Sequence, residues 1–121
     1  MTTNELPLAI VIEDDKDAAF IVAEALRSLD FVVETIHDGQ KALDALEKVV
    51  PAMIALDMHL PNVSGHEIMK FIHTQPHLRG TKLIVITADS LLGDQMEAKA
   101  DLVLLKPISF SQLRSLAERI R

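Results

Sequence analysis

Ala52-Met-Ile-Ala-Leu-Asp57 is an almost wholly apolar run that ends on one carboxylate, and the loop-forming stretch Met58-His-Leu-Pro61-Asn-Val-Ser-Gly65 follows it. A continuous apolar run bounded by turn residues reads as a strand buried on both faces, the kind found inside a parallel sheet. Asp57 is then the first residue out of the core, at a strand's C-terminal end.

The chain on either side repeats this arrangement. Leu8-Ala-Ile-Val-Ile12 is a second such run, and it stops abruptly at Glu13-Asp14-Asp15. From Asp15 to Leu29 the period changes to that of a helix, with Ala19, Val22, Leu26 and Leu29 three or four apart, Asp15 as N-cap and Asp17 suited to the dipole. Phe31-Val-Val-Glu-Thr-Ile36 is β-branched and aromatic, hence a strand. After the His37-Asp38-Gly39 turn, Ala42, Leu43, Leu46, Val49 and Val50 mark the inner face of a helix that Pro51 stops. Beyond the central strand, Ile68, Met69 and Ile72 recur at helical spacing until Pro76, and Lys82-Leu-Ile-Val-Ile-Thr87 is a strand ending on a hydroxyl. Leu91 to Lys99 reads as a weak helix with a thin apolar face, and Leu102-Val-Leu-Leu105 as a fifth strand running into Lys106-Pro107. Ser109 with Gln112 forms a capping-box signature for a last helix whose core face is Phe110, Leu113, Ala117 and Ile120.

Five strands alternating with five helices predict one domain over residues 1–121, a doubly wound α/β fold with a parallel sheet and helices on both faces. In such a sheet all C-terminal strand ends lie along one rim, where ligands bind at the reversal of strand order. That rim collects Glu13 and Asp14 from the first strand, Asp57 from the third, Thr87 from the fourth and Lys106 from the fifth. Each has a structural explanation when taken singly: capping, turn formation, ordinary strand chemistry, a solvated amine. Their coincidence on one rim points to a site.

Three carboxylates without His or Cys suit Mg²⁺, which takes one or two protein carboxylates together with waters and phosphate oxygens. Phosphoryl transfer asks mainly for positioning and for positive charge on the equatorial oxygens. Mg²⁺ and Lys106 supply the charge, Thr87 donates a hydrogen bond to a phosphoryl oxygen, and Asp57 is the nucleophile that forms an aspartyl phosphate.

Composition narrows the alternatives. A net charge of -6, from 12 Lys+Arg against 18 Asp+Glu, argues against nucleic acid or anionic membrane as the main partner. With no cysteine there is no thiol catalysis or thiolate metal site, and with four Phe, no Tyr and no Trp there is little for base stacking. The opening Met-Thr-Thr-Asn-Glu-Leu-Pro lacks the basic and apolar regions of a signal peptide, so a cytoplasmic protein is expected.

At this point the chain resembles the receiver domain of bacterial two-component response regulators, over essentially its whole length. The resemblance rests on Val11-Ile-Glu-Asp14, on Leu56-Asp57-Met-His-Leu-Pro61-Asn-Val-Ser-Gly65, on Val85-Ile-Thr-Ala88 and on Leu105-Lys-Pro107. It implies the flavodoxin-like fold of the chemotaxis receiver protein with strand order 2-1-3-4-5, and a cis Lys106-Pro107 peptide. It also implies Mg²⁺ held by Asp14, Asp57 and the backbone carbonyl of His59, with Glu13 acting through water. Phosphorylation of Asp57 would come from a histidine kinase or a histidine phosphotransfer protein.

The sequence departs from that family at Val103, which stands where an aromatic switch residue is usual, and at Lys99, where a Gly is common. His59 and Asp89 occupy positions that in the family tune dephosphorylation. His37, His66, His73 and His77 read as surface residues; the i,i+4 pair His73/His77 is interrupted by Pro76. Three functions compete. The first is a stand-alone phosphoacceptor receiver or relay intermediate, since the chain ends at Arg121 directly after the last helix and its output would be protein contact. The second is a small Mg²⁺-dependent phosphatase of the haloacid dehalogenase type, which needs an acid two residues after the nucleophile, where this chain has His59. The third is a pseudo-receiver that never accepts phosphate, an option Val103 keeps open. A receiver segment cut from a hybrid kinase is a further alternative, against which the opening Met1 and short polar lead-in weigh mildly.

Overall fold

Parallel strands can be joined only through crossovers, so a chain of alternating apolar runs and helices winds helices onto both faces of its sheet. The computed structural model describes residues 5–121 and has this form. Met1 to Asn4, the start of the polar lead-in, lie outside the described residues. The strands are β1 (Leu8–Ile12), β2 (Val32–Ile36), β3 (Met53–Asp57), β4 (Lys82–Thr87) and β5 (Leu102–Leu105). Between and after them run α1 (Lys16–Arg27), α2 (Gly39–Leu46), α3 (Gly65–Thr74), α4 (Ser90–Met96) and α5 (Phe110–Ile120). All pairings are parallel and the strand order is β2-β1-β3-β4-β5, so β1 and β3 lie side by side at the point where the order reverses.

Side chains alternate across a strand, so one apolar run supplies both core layers. Ala9 and Val11 of β1 and Met53 and Ala55 of β3 face α1 and α5, joining Val22, Leu26, Leu113 and Ala117. Ile10 and Ile12, with Ile54 and Leu56, face the other way and join Leu46, Ile68, Ile72 and Met96 from α2, α3 and α4. β3 is buried at every position. β2, at the sheet's edge, is half-buried or exposed throughout.

Each helix start carries its cap. Asp15 Oδ1 accepts from the Asp17 and Ala18 amides at 2.9 and 3.2 Å, and Asp38, Ser64, Asp89 and Ser109 do the same for the later helices. At Ser109 the bond from the Gln112 amide is made at 3.0 Å, which is one half of the expected capping box.

Several expected boundaries and core positions shift. α1 ends at Arg27 rather than Leu29, because the following amides fold back in a tighter turn and Asp30 takes φ 67°. α2 ends at Leu46, well before Pro51, and although Val49 is half-buried, Val50 is 65% exposed and not part of an inner face. Phe110 is also exposed rather than core: it is the first residue of α5, where the chain is still leaving the rim loop. The weak fourth helix is an α-helix only to Met96 and then a 3-10 turn over Glu97–Lys99.

Candidate functional site

The rim at the C-terminal ends of β1, β3, β4 and β5 carries the candidate residues. Where β1 ends, the Glu13 amide donates to the Ile36 carbonyl at 3.0 Å, so the chain stays paired with β2 for one residue more. Glu13 thereby turns inward, with 2% of its surface exposed, whereas Asp14 faces solvent. Asp57 is not the first residue outside the core, as the sequence suggested: it is the last residue of β3 and 1% exposed, enclosed because β1 and β4 flank it. One carboxylate oxygen each from Glu13, Asp14 and Asp57 lie within 4.8 Å of one another.

Lys106 joins two of these acids. Its amide donates to the Thr87 carbonyl at 2.9 Å, extending the β4–β5 register by one step, and its side chain then reaches back over the rim. Nζ lies 3.0 Å from Glu13 Oε1 and 3.4 Å from Asp57 Oδ2. The Lys106-Pro107 peptide is cis. Asp57 Oδ1 accepts from the His59 amide at 3.1 Å, so both oxygens of this carboxylate have a positive or donor neighbour.

Glu13 is less well provided. Its Oε2 accepts from the Asp15 amide at 3.3 Å, while Oε1 is buried with no hydrogen bond and only the ion pair with Lys106. Burial, then the side chain of Asp57, push the Glu13 carboxyl up to about 7, against the opposing pull of Lys106. For Lys106, burial alone would favour the neutral amine, but Glu13 and then Asp57 outweigh it and the pKa rises. The two shifts have different causes: burial raises Glu13, and the two carboxylates raise Lys106. Three carboxylate oxygens within 4.8 Å of one another, two of them on buried residues that share a single ammonium, fit a hard divalent cation such as Mg²⁺.

Thr87, fully buried, is brought to the rim but does not bond to the acids. Its Oγ1 accepts from the Asp89 amide at 3.1 Å and lies 3.3 Å from His59 Nε2. Asp89 in turn caps α4 through the Leu91 and Leu92 amides at 3.0 and 3.1 Å. Val103 stays away from the rim: it pairs in register with Val85 and packs, half-buried, on the α2–α3–α4 side of the core. Lys99 lies in the 3-10 turn, and its carbonyl accepts from His73 Nε2 at 2.9 Å.

Gly65, the last residue of the loop motif quoted from the sequence, starts α3 and lies against the residues after β3: a Cβ there would fall 2.5 Å from Met58 Cα and 3.0 Å from the Asp57 carbonyl oxygen. The reading of the histidines as surface residues fails for two of them. His37 and His77 are half-buried and bond to the carbonyls of Glu13 (2.8 Å) and Leu46 (2.7 Å), partners 24 and 31 residues away. His73 and His77 therefore serve different carbonyls and do not form a pair. Among the described residues, the group of three potential metal-ligating side chains is Glu13, Asp14 and Asp57.

Doubly wound order, buried acids and a lysine at the switch of strand order define the class, and comparison names it. The chain belongs to the response regulator receiver domain family, which it matches over residues 9–118. Members of this family are modules of two-component signalling rather than metabolic enzymes. The chain is 31% identical over 125 residues to the probable methanogenesis regulatory protein FilR2 of Methanothrix harundinacea, covering 94% of this chain and 81% of that protein. It spans less than half the length of several other curated relatives. Among solved structures, a CheY-like receiver domain from Methylobacillus flagellatus superposes with a TM-score of 0.84 at 26% identity, covering 97% of this chain and 100% of that one. The receiver domain of the sensor histidine kinase PA1611 from Pseudomonas aeruginosa superposes with a TM-score of 0.83 at 26% identity, covering 95% of this chain and 97% of that one. That structure has a magnesium ion coordinated in its active-site cleft.

Proposed function

We propose that this chain is a phosphoacceptor response regulator: Asp57 accepts a phosphoryl group from the phosphohistidine of a histidine kinase or histidine phosphotransfer protein, in a Mg²⁺-dependent manner. The observation that carries this reading is Lys106 Nζ standing 3.0 and 3.4 Å from two buried carboxylates, with Asp14 close enough to complete a cluster of three acids. In the transfer an Asp57 oxygen forms a bond to phosphorus as the bond from phosphorus to the donor's imidazole nitrogen breaks. The nitrogen keeps the electron pair and an acyl phosphate remains on Asp57.

The residues that would hold Mg²⁺ are Asp14, Asp57 and the His59 backbone carbonyl, with Glu13 through water; the ion would supply positive charge to the oxygens of the transferring group. Lys106, already beside the accepting carboxylate, pairs with the added phosphoryl oxygens. A shift of Thr87 towards one of them, to donate from its hydroxyl, alters its contact with His59 and pulls on the Asp89 amide at the cap of α4. In this way the chemistry at Asp57 reaches a surface helix without an aromatic residue at position 103. The output we assign is contact with a downstream protein, in the cytoplasm, with no catalysis beyond the chain's own phosphorylation and dephosphorylation. No helix among the described residues is long and apolar enough to cross a membrane.

Intact-mass spectrometry after incubation with acetyl phosphate tests this. One phosphoryl group should be gained only with Mg²⁺ in the wild type and never in Asp57→Asn. A wild type that gains none under any condition favours a pseudo-receiver, and a mutant that gains as much as the wild type removes Asp57 from its role.

A further inference from the structure

We propose that the turn His37–Asp38–Gly39 clamps together the two loops that carry the site's acids, with His37 as a positioning residue for Glu13 and Asp14. The turn follows β2, the edge strand, and supplies none of the carboxylates of the site. Each of its three residues nevertheless reaches one of the acid-bearing loops.

A carbonyl oxygen only accepts, so the 2.8 Å contact between His37 Nδ1 and the Glu13 carbonyl requires the proton on Nδ1. With the Glu13 amide already donating to Ile36, the peptide units on both sides of Glu13 are tied to the end of β2. The following residue, Asp14, is exposed, and its side chain accepts no hydrogen bond among the described residues, so this backbone anchoring is what orients it. Asp38 faces the other loop: its Oδ1 caps α2 through the Gln40 amide at 3.3 Å and accepts from Asn62 Nδ2 at 3.4 Å. Asn62, in the loop that runs from Asp57 to α3, has positive φ, at 68°, as among the described non-glycine residues only Asp30 also does. Gly39 completes the contact. A Cβ at this position would sit 2.6 Å from the Val63 carbonyl oxygen and 2.8 Å from Val63 Cβ, so the two loops touch backbone to backbone and leave no space for a side chain.

Groups that bond to the ligands of a metal, without touching the metal, fix the orientation of those ligands, and their loss typically costs about 10- to 100-fold in affinity. The clamp is an arrangement of that kind made from main-chain contacts. It rests on the phosphoacceptor reading for what the loops bind, but the tethering of Glu13 and Asp14 can be read without any metal.

The test uses wild type, His37→Ala, His37→Asn and Gly39→Ala. Asn places an N–H close to the position of Nδ1 and serves as the conservative rescue. Two quantities are measured by NMR: Mg²⁺ affinity from a titration of amide shifts, and hydrogen exchange in metal-free protein of the Glu13 and Asp15 amides, which bond to the Ile36 carbonyl and the Glu13 carboxylate, referenced to core amides of β3. The expected result is a roughly tenfold loss of Mg²⁺ affinity in His37→Ala and Gly39→Ala, faster exchange at Glu13 and Asp15 in His37→Ala with the β3 amides unchanged, and values near wild type in His37→Asn. The clamp is overturned if His37→Ala leaves the exchange of these two amides at the wild-type rate, or if His37→Asn fails as badly as His37→Ala. A wild type that binds no Mg²⁺ counts against the phosphoacceptor reading, and the exchange data then decide the clamp alone.

Discussion

The two rims of the sheet use their polar groups to opposite ends. At the N-terminal rim Thr81 Oγ1 donates to the Pro51 carbonyl at 2.7 Å, Asp101 Oδ2 accepts from the Leu83 amide at 2.7 Å, and Arg121 bonds the Leu29 carbonyl at 2.6 Å. Each of these groups has a partner that it satisfies. At the C-terminal rim Glu13 and Asp57, at 2% and 1% exposure, divide one ammonium between them, and Glu13 Oε1 has no hydrogen bond. A fully satisfied polar contact holds strand ends together, whereas an unsatisfied buried charge costs stability and persists where something else binds to it. The first rim is architecture and the second is a site.

Substitutions on the two rims should separate them, most clearly at Asp57. Asp57→Asn should abolish phosphoryl uptake, measured as acid-labile phosphate on the protein, while circular dichroism shows the fold retained. Lys106→Ala comes next: it leaves two buried carboxylates with no cation, so Mg²⁺ binding should persist but phosphorylation should no longer change the amide shifts of Thr87 and Asp89. Shifts that move as in the wild type would remove Lys106 from the coupling.

Glu13 gives a graded effect with a definite sign. Its carboxyl goes from 4.5 to about 7 on folding, so the folded, metal-free chain holds this proton more tightly than the unfolded one. This contribution to stability is fully present below about pH 4.5 and is lost as the pH rises through about 7. Urea unfolding without metal should show it in the wild type, and Glu13→Gln should flatten that part of the profile. The smallest effect belongs to the other rim, where Thr81→Val should cost about 1 kcal/mol of stability and leave phosphorylation rates unchanged.

The contrast between the rims also explains what could be read from the sequence. The fold follows from apolar runs too continuous to have a wet face, and the order of strands from the resemblance carried by four short motifs. The rim residues stood out because a strand end is a position that sequence marks directly: Ile12 to Glu13, Leu56 to Asp57 and Leu105 to Lys106 are each an abrupt change from apolar to charged. What escaped depends on contacts across long stretches of chain. The bond of His37 to Glu13 and that of His77 to Leu46 leave no local pattern. Periodicity misled at Val50 and Phe110, which continue a helical apolar spacing past the point where the helix, or its contact with the sheet, has ended. Asp57 reads as a surface turn residue from its neighbours in sequence, and only the strands on either side show that it is enclosed.

A C-terminal rim whose negative charge is satisfied by a divalent cation must be stabilised by that cation. Thermal unfolding above about pH 7, where Glu13 is ionised, with and without Mg²⁺, checks this dependence. Binding to the folded state alone must raise Tm with Mg²⁺ concentration, so the wild type should show a saturable rise that Asp57→Asn loses and Thr81→Val keeps. A wild-type Tm indifferent to Mg²⁺, or the same rise in Asp57→Asn, would contradict it.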